Sequence, residues 1–325
     1  MQADPFPANP RVSVIVPAYN TAHLIAATLD SVFSQTFKEF EVIVVNDGAP
    51  DTPDLERVLA SYRDRIRYIK QENQGVGAAR NAGIRNASGE FLAFPDSDDL
   101  WLPDFLAGQL KFFEEHPGLD LVCADCIYFG DSDLAGKSWQ ALDPIQDPVT
   151  FEKILPTHGG AFASFVLMRR AAALKVGSFE EERPLLEDYH YWLRLLYGGG
   201  RMAYNPKILG RRRIHSGSLT YNHEVVIPQA VKALQKLEAI LDPSSKEADL
   251  VRQQILAFQY RLYVDEGKRS LAAGDFKAAL RSFEAAYAAA PSRKVRLTLV
   301  GLRWAPGWTR WATSLRDRRL SDGPG

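Results

Sequence analysis

Cysteine is almost missing from this chain: Cys123 and Cys126 are the only two in 325 residues, so a disulfide framework is excluded and the fold must rest on packing. A surplus of charge is missing too. Lys and Arg number 39 against 40 Asp and Glu, a formal net charge of -1, which excludes a chain that holds nucleic acid by bulk positive charge. No apolar run approaches the roughly 18 residues that cross a bilayer. The first seven residues have neither a basic start nor an apolar stretch, so no signal peptide is expected and the expected location is cytoplasmic. What remains is an ordinary globular composition, 46% hydrophobic and 24% charged, in a chain long enough for two domains.

After a proline-bearing leader over residues 1–10, apolar runs alternate with amphipathic stretches. Strands are expected at residues 12–16, 40–45, 66–69, 91–94 and 119–129, and helices at 22–35, 54–62, 76–86, 103–115 and 189–196. The run Phe40, Glu41, Val42, Ile43, Val44, Val45 is that of a strand buried on both faces, as in a parallel sheet covered by helices. The expected class is therefore α/β, with a mostly parallel central sheet and chemistry beyond the carboxyl ends of its strands. Cys123 and Cys126 fall within the strand at 119–129 and read as small buried residues. From about Asn222 strand-like segments stop, and helical texture runs on, so a boundary is placed between Tyr221 and Pro228.

The strand ends carry the informative residues. Asp96, Ser97, Asp98 and Asp99 put three carboxylates into four positions, where they repel unless a cation or hydrogen-bond donors hold them. Such oxygens suit Mg²⁺ or Mn²⁺; the alternative is a solvated turn leading into the next helix. Asp47, ending another strand, is placed to accept from a nucleobase N–H, or else forms an Asx turn before Gly48. Gly75, Gly77 and Arg80 open a helix where backbone can approach a ligand and an arginine can meet phosphate or ribose. The same glycines approximate a dinucleotide fingerprint, but Arg80 stands where close helix–strand packing needs a small residue.

In order and at consistent spacing, the chain contains Ser13 to Asn20, Ser31 to Thr36, Val44 to Gly48, Gly77 to Ile84, Asp96 to Asp99, Met168 to Arg170, Val176 to Phe179, Glu187 and Asp188 with Trp192 to Leu195, and Arg213 to Ser218. Together these segments, from about Arg11 to Thr220, resemble a family 2 glycosyltransferase of the GT-A fold. The resemblance implies a transferase that takes a sugar from a nucleotide-diphosphate donor, inverts the anomeric carbon and uses a divalent metal, Mn²⁺ or Mg²⁺. Surface polysaccharide or other glycoconjugate synthesis is the expected setting, with a glycan, lipid-linked or protein acceptor. It further implies that Pro17, Tyr19, Asp47 and Arg80 line the nucleotide pocket, that Asp96 meets the ribose and Asp98 the metal, and that Asp188 is the general base. Arg213 and His215, in a stretch with Arg211 and Arg212, are implied diphosphate contacts. Ala49 departs from the family's usual serine, and His190 and Tyr191 replace a common second acid. Two other classes share features with this reading: a catalytically silent sugar-nucleotide-binding scaffold and a sugar-phosphate nucleotidyltransferase.

The expected organisation is a leader over 1–10, a transferase domain over 11–221, a helical domain over 222–291 and a basic tail over 292–325. Helices are expected at 225–241 and 246–266. Tyr263, Gly267, Leu271, Gly274, Phe276, Ala279, Phe283, Ala286 and Pro291 fit one tetratricopeptide-like repeat, which needs a neighbour, a second copy or a partner to cover it. The tail holds eight basic and two acidic side chains, a net +6 that leaves -7 for the rest. Trp304, Trp308 and Trp311 are interleaved with the arginines. Trp308, Trp311 and Leu315 share a helical face, which suits either packing on the domain or an anionic membrane surface, such as the inner face of the plasma membrane.

Overall fold

The computed structural model describes residues 9–157, 161–182, 186–214 and 223–305. The chain divides into two compact units, residues 1–221 and 222–325.

In the first unit, eight strands form one sheet among the described residues: β1 (Val12–Ala18), β2 (Phe40–Asp47), β3 (Arg67–Gln71), β4 (Phe91–Ala93), β5 (Leu100–Trp101), β6 (Leu121–Gly130), β7 (Val166–Arg169) and β8 (Met202–Ile214). Their order across the sheet is β3-β2-β1-β4-β7-β6-β8-β5. Around them lie α1 (Ile25–Phe33), α2 (Thr52–Leu59), α3 (Val76–Asn86), α4 (Phe105–Glu115), the single turns α5 (Trp139–Leu142) and α6 (Phe151–Ile154), α7 (Arg170–Val176) and α8 (Glu187–Tyr197).

Every residue of β1 and β2 is buried, as their unbroken apolar runs require of strands covered on both faces. One buried acid, Glu41, is satisfied locally: its Oε1 accepts from Ser13 Oγ at 2.7 Å, Ser88 N at 2.7 Å and Ser88 Oγ at 2.6 Å. Strands β2 and β4 both run parallel to β1, with Val12 opposite Phe40 and Phe91. The chain therefore leaves all three at one edge of the sheet, which collects Pro17, Asp47 and the turn from Pro95 to Asp99. Cys123 and Cys126 are buried in β6.

The sheet is mostly parallel, as expected: β1, β2, β3, β4, β6 and β8 run one way, and β7 and β5 run against them. Strand β7 is antiparallel to β4 and β6, and β5 to β8. Strands β5, β7 and β8 are absent from the sequence reading. Of these, β5 has two residues, and β8 has exposed polar positions that hide its periodicity.

The second unit consists, among its described residues, of α9 (His223–Glu238), α10 (Lys246–Ala273), α11 (Phe276–Ala289) and α12 (Arg293–Trp304). Ser245 caps α10 by accepting from Ala248 N at 3.1 Å, and Gly274, left-handed at φ 83°, ends it. Asp275 then caps α11 through Ala278 N at 2.9 Å. Leu271, Ala279, Phe283 and Ala286 form a core with Val295, Leu299 and Leu302. The expected break near residue 266 does not occur. Helix α10 runs on through Gly267, where a Cβ would stand 2.9 Å from the Phe283 ring, so this glycine admits a neighbour instead of ending the helix. The first helix of the expected repeat is thus the last half of a longer one. Leader residues 1–8 and His215, Trp308, Trp311 and Leu315 lie outside the described residues.

Candidate active site

The site is assembled at the edge where β1, β2 and β4 end. Asp47 is buried, and its orientation is fixed by three donors: Gln71 Nε2 and Gln74 N reach Oδ1 at 2.8 and 2.9 Å, and Gly75 N reaches Oδ2 at 2.7 Å. The Asx-turn alternative gives way to a longer clasp, in which Asp47 holds the loop that leads into α3. Tyr19 follows β1 and is 46% exposed; Pro17 beneath it is buried. Asn20, with a positive φ of 57°, turns the chain sharply, a conformation asparagine tolerates. Ser97 Oγ donates to Thr21 Oγ1 at 2.9 Å, joining the β1 exit to the acidic turn.

That turn is held from several sides. Asp96 N donates to Ser164 Oγ at 3.1 Å, while Trp101 Nε1 donates to Ser164 O at 2.8 Å. Strand β8 supplies the rest: Arg213 N donates to Asp99 Oδ1 at 2.8 Å and Arg213 Nε to the Asp98 carbonyl at 2.9 Å. Asp99 is buried, and burial together with the nearby Asp98 pushes its carboxyl up to about 8, against the pull of Arg212. Asp99 therefore serves the turn's architecture as a buried acceptor for β8, not as part of a solvated turn. The three arginines of β8 do not form one cluster. Arg211 and Arg213 lie over the Phe129 ring at 4.6 and 4.5 Å and Arg212 over Phe162 at 3.5 Å, the alternation a strand imposes.

Arg80 lies at the centre. Its side chain is 3% exposed and bridges Asp96 Oδ1 at 2.9 Å and Glu187 Oε1 at 2.5 Å. Burial opposes its charge, but Asp96, Glu187 and Asp188 outweigh burial and raise its basicity further. Sequence reasoning grouped Arg80 with the ligand contacts; in this structure its two ends are taken by the protein's own carboxylates. Gly77 is similar. A Cβ there would collide with the Glu180 carbonyl, so the backbone it admits is this chain's own.

Asp188 sits in the first turn of α8, its Oδ1 accepting from Tyr189 N at 2.7 Å. Burial and the adjacent Glu187 push its carboxyl up to about 7, with Arg80 and the Tyr189 N–H pulling the other way. The helix beneath it is fixed by three aromatic side chains whose polar ends are paired. Tyr189 Oη donates to Leu155 O at 2.5 Å, Tyr191 Oη to Ala173 O at 3.1 Å and Trp192 Nε1 to Ala161 O at 2.9 Å. Asn81 adds a clamp missed by sequence reasoning. Its Nδ2 donates to Phe179 O at 2.9 Å, its Oδ1 accepts from Phe179 N at 2.8 Å, and Phe179 stacks on Tyr191 at 3.9 Å.

The donor set for a cation is small. Among the described residues no three His, Cys, Asp or Glu side chains converge on one point. One or two carboxylates, from Asp98 and Asp96, fit a hard cation that takes its other ligands from substrate phosphate and water.

The family model described as glycosyl transferase family 2 matches residues 13–177. A Rickettsia felis protein, named an uncharacterized glycosyltransferase, is 32% identical over 64% of this chain and 35% of its own length. The chain likewise spans only 34% and 30% of the similar proteins of Rickettsia conorii and Rickettsia bellii. An Escherichia coli protein, UDP-Glc:alpha-D-GlcNAc-diphosphoundecaprenol beta-1,3-glucosyltransferase WfgD, is 30% identical over 65% of this chain and 80% of that one. Among solved structures, Staphylococcus aureus TarS 1-349 in complex with UDP-GlcNAc matches 96% of this chain and 92% of its own, with a TM-score of 0.64 at 22% identity. The mannosyltransferase PcManGT of Pyrobaculum calidifontis, in complex with GDP-Man and Mn²⁺, matches 99% and 90% with a TM-score of 0.60 at 21% identity. At these identities the structures establish a shared fold, that of the GT-A transferases.

Proposed function

The chain belongs to glycosyl transferase family 2, and on that premise we propose that it transfers a sugar from a nucleoside-diphosphate donor to an acceptor hydroxyl, with inversion and with a divalent cation. The observation that carries this reading is Asp188: a carboxyl pushed up to about 7, at the start of a rigid helix and within electrostatic reach of Arg80 and Asp96. A base poised near neutral pH suits proton abstraction from a hydroxyl.

In the proposed reaction Asp188 takes the acceptor's proton as that oxygen bonds to the anomeric carbon, and the bond from that carbon to the diphosphate oxygen breaks. Asp47 and Tyr19 receive the nucleobase, Asp96 the ribose, and Arg213 and His215 the diphosphate. Asp98 would hold the cation, which when bound neutralises charge on the departing diphosphate. Arg80 keeps Asp96 and Glu187 in register, so that donor pocket and base share one frame. The acceptor in the E. coli relative's name, a diphosphoundecaprenol-linked sugar, supports a lipid-linked glycan as the acceptor class here.

A thermal-shift panel of nucleotide sugars, each with Mn²⁺ or with chelator, followed by a transfer assay with the stabilising donor, tests the proposal. Stabilisation by metal and one donor, with release of the nucleoside diphosphate on adding acceptor, is the expected result. Stabilisation with no turnover across acceptors would identify a silent binder. Pyrophosphate release from a nucleoside triphosphate and a sugar phosphate would identify a nucleotidyltransferase.

A further inference from the structure

Helix α12 has two apolar stripes where its fold uses one. Val295, Leu299 and Leu302 are buried in the core of the helical unit. Leu297, Val300 and Trp304 recur at i, i+3 and i+7 and are exposed by 72%, 50% and 85%. At 3.6 residues per turn these three fall on the side of the helix opposite the buried stripe. Among the described residues, packing within the unit accounts for the first stripe and leaves the second exposed. A tryptophan is a costly residue to leave in water, and one that settles readily at a membrane–water interface.

Charge defines what the second stripe fits. Arg293, Lys294 and Arg296 are exposed beside it, and Arg303 pairs with Glu284 at 2.7 Å. No acidic residue occurs from Ser292 to Ala305, and the sequence beyond adds Trp308, Trp311, Arg310, Arg316, Arg318 and Arg319 against Asp317 and Asp322. The rest of the chain is net negative, whereas this segment concentrates positive charge. A second copy docking here by two-fold symmetry would bring the same cations face to face. A sheet of lipid phosphates with an apolar layer beneath them meets both features at once.

We propose that the outer face of α12 docks on an anionic lipid bilayer, with Leu297, Val300 and Trp304 entering the interfacial layer and Arg293, Lys294 and Arg296 on the lipid phosphates. This docking is independent of the transferase reading, because it is measured without turnover.

The test is flotation of the full chain with vesicles of phosphatidylcholine alone and of phosphatidylcholine mixed with phosphatidylglycerol. Wild type should float with the mixed vesicles and lose binding as salt is raised. Two variants separate the contributions: Leu297→Ser with Trp304→Ser, and Arg293→Gln with Lys294→Gln and Arg296→Gln. All five positions are exposed, so both variants should melt like wild type, and each should lose at least about tenfold in vesicle affinity. Wild type that stays out of mixed vesicles, binds neutral ones equally, or is matched by either variant overturns the proposal. A dimer in light scattering that the serine variant returns to monomer also overturns it, and assigns the face to a second copy.

Discussion

Arg80 Nη2 stands 2.9 Å from Asp96 and Arg80 Nη1 stands 2.5 Å from Glu187, so one buried guanidinium joins the acidic turn after β4 to the first turn of α8. The ring of Phe179 lies 5.6 Å beneath it. Removing Arg80 would leave two carboxylates facing each other without a cation. Breaking a buried pair costs about 3–5 kcal/mol, and the 39% exposure of the Asp96 side chain lets water offset part of that. Arg80→Ala should therefore melt lower by the equivalent of about 3 kcal/mol and lose on the order of 10²-fold in kcat, because the base and donor pocket lose their common frame. Arg80→Lys supplies charge without the two-ended fork and should recover stability more than kcat. An unchanged kcat in the alanine variant would remove Arg80 from any positioning role.

Asp188→Asn keeps size and hydrogen bonding but removes the base. Transfer should fall by roughly 10²–10⁴-fold, while nucleotide binding measured by calorimetry stays at the wild-type level. Substantial turnover in this variant would assign the proton to another group.

The sign of the pH dependence follows from the base having to be ionised. With the Asp188 carboxyl pushed up to about 7, kcat should fall as pH drops through about 7 and level off above it. Glu187 is the neighbouring charge that raises Asp188, so Glu187→Gln should move the acidic limb to lower pH. A limb that stays in place in this variant reports some other group.

Metal dependence separates Asp98 from Asp188. Chelator should abolish transfer and the thermal stabilisation by donor, and returning Mn²⁺ should restore both. Asp98→Ala should lose the metal-dependent stabilisation even at full Mn²⁺, whereas Asp188→Asn should keep it. A metal-dependent stabilisation of Asp98→Ala as large as that of wild type would place the cation elsewhere.

What could be read in the sequence, and what could not, divides along the sheet. Strands β1 and β2 are buried on both faces, and their apolar runs say so directly; the boundaries of α3 likewise follow from its flanking glycine and loop. The strands β5 and β8 were hidden because β5 has two residues and β8 has a run of exposed positions and three arginines near its end. At the site, the sequence showed the residue types: carboxylates at strand ends, an acid pair opening a helix. They could not say which groups face each other. Asp99 accepting from Arg213 N, Asp47 clasping Gln71, Gln74 and Gly75, and Arg80 turning inward are long-range pairings with no local signal. Glu187, next to the proposed base, was visible beforehand as a member of an acid pair, without its Arg80 partner.

Gly77 is where the sequence and the structure give opposed expectations. As sequence, a glycine opening a helix beyond a strand invites a ligand's close approach. In the structure the Glu180 carbonyl occupies that space, and Asn81, one turn on, holds both backbone groups of Phe179. Phe179 in turn stacks on Tyr191 of the helix that carries Asp188. Gly77→Ala must therefore push residues 179–181 outward and tilt the start of α8, with an overpacking cost of about 1–3 kcal/mol. Its kcat should fall while metal-dependent nucleotide binding holds, and Asn81→Ala should show the same split. The opposite split in Gly77→Ala, weakened nucleotide binding with kcat intact, would put a ligand against this glycine after all.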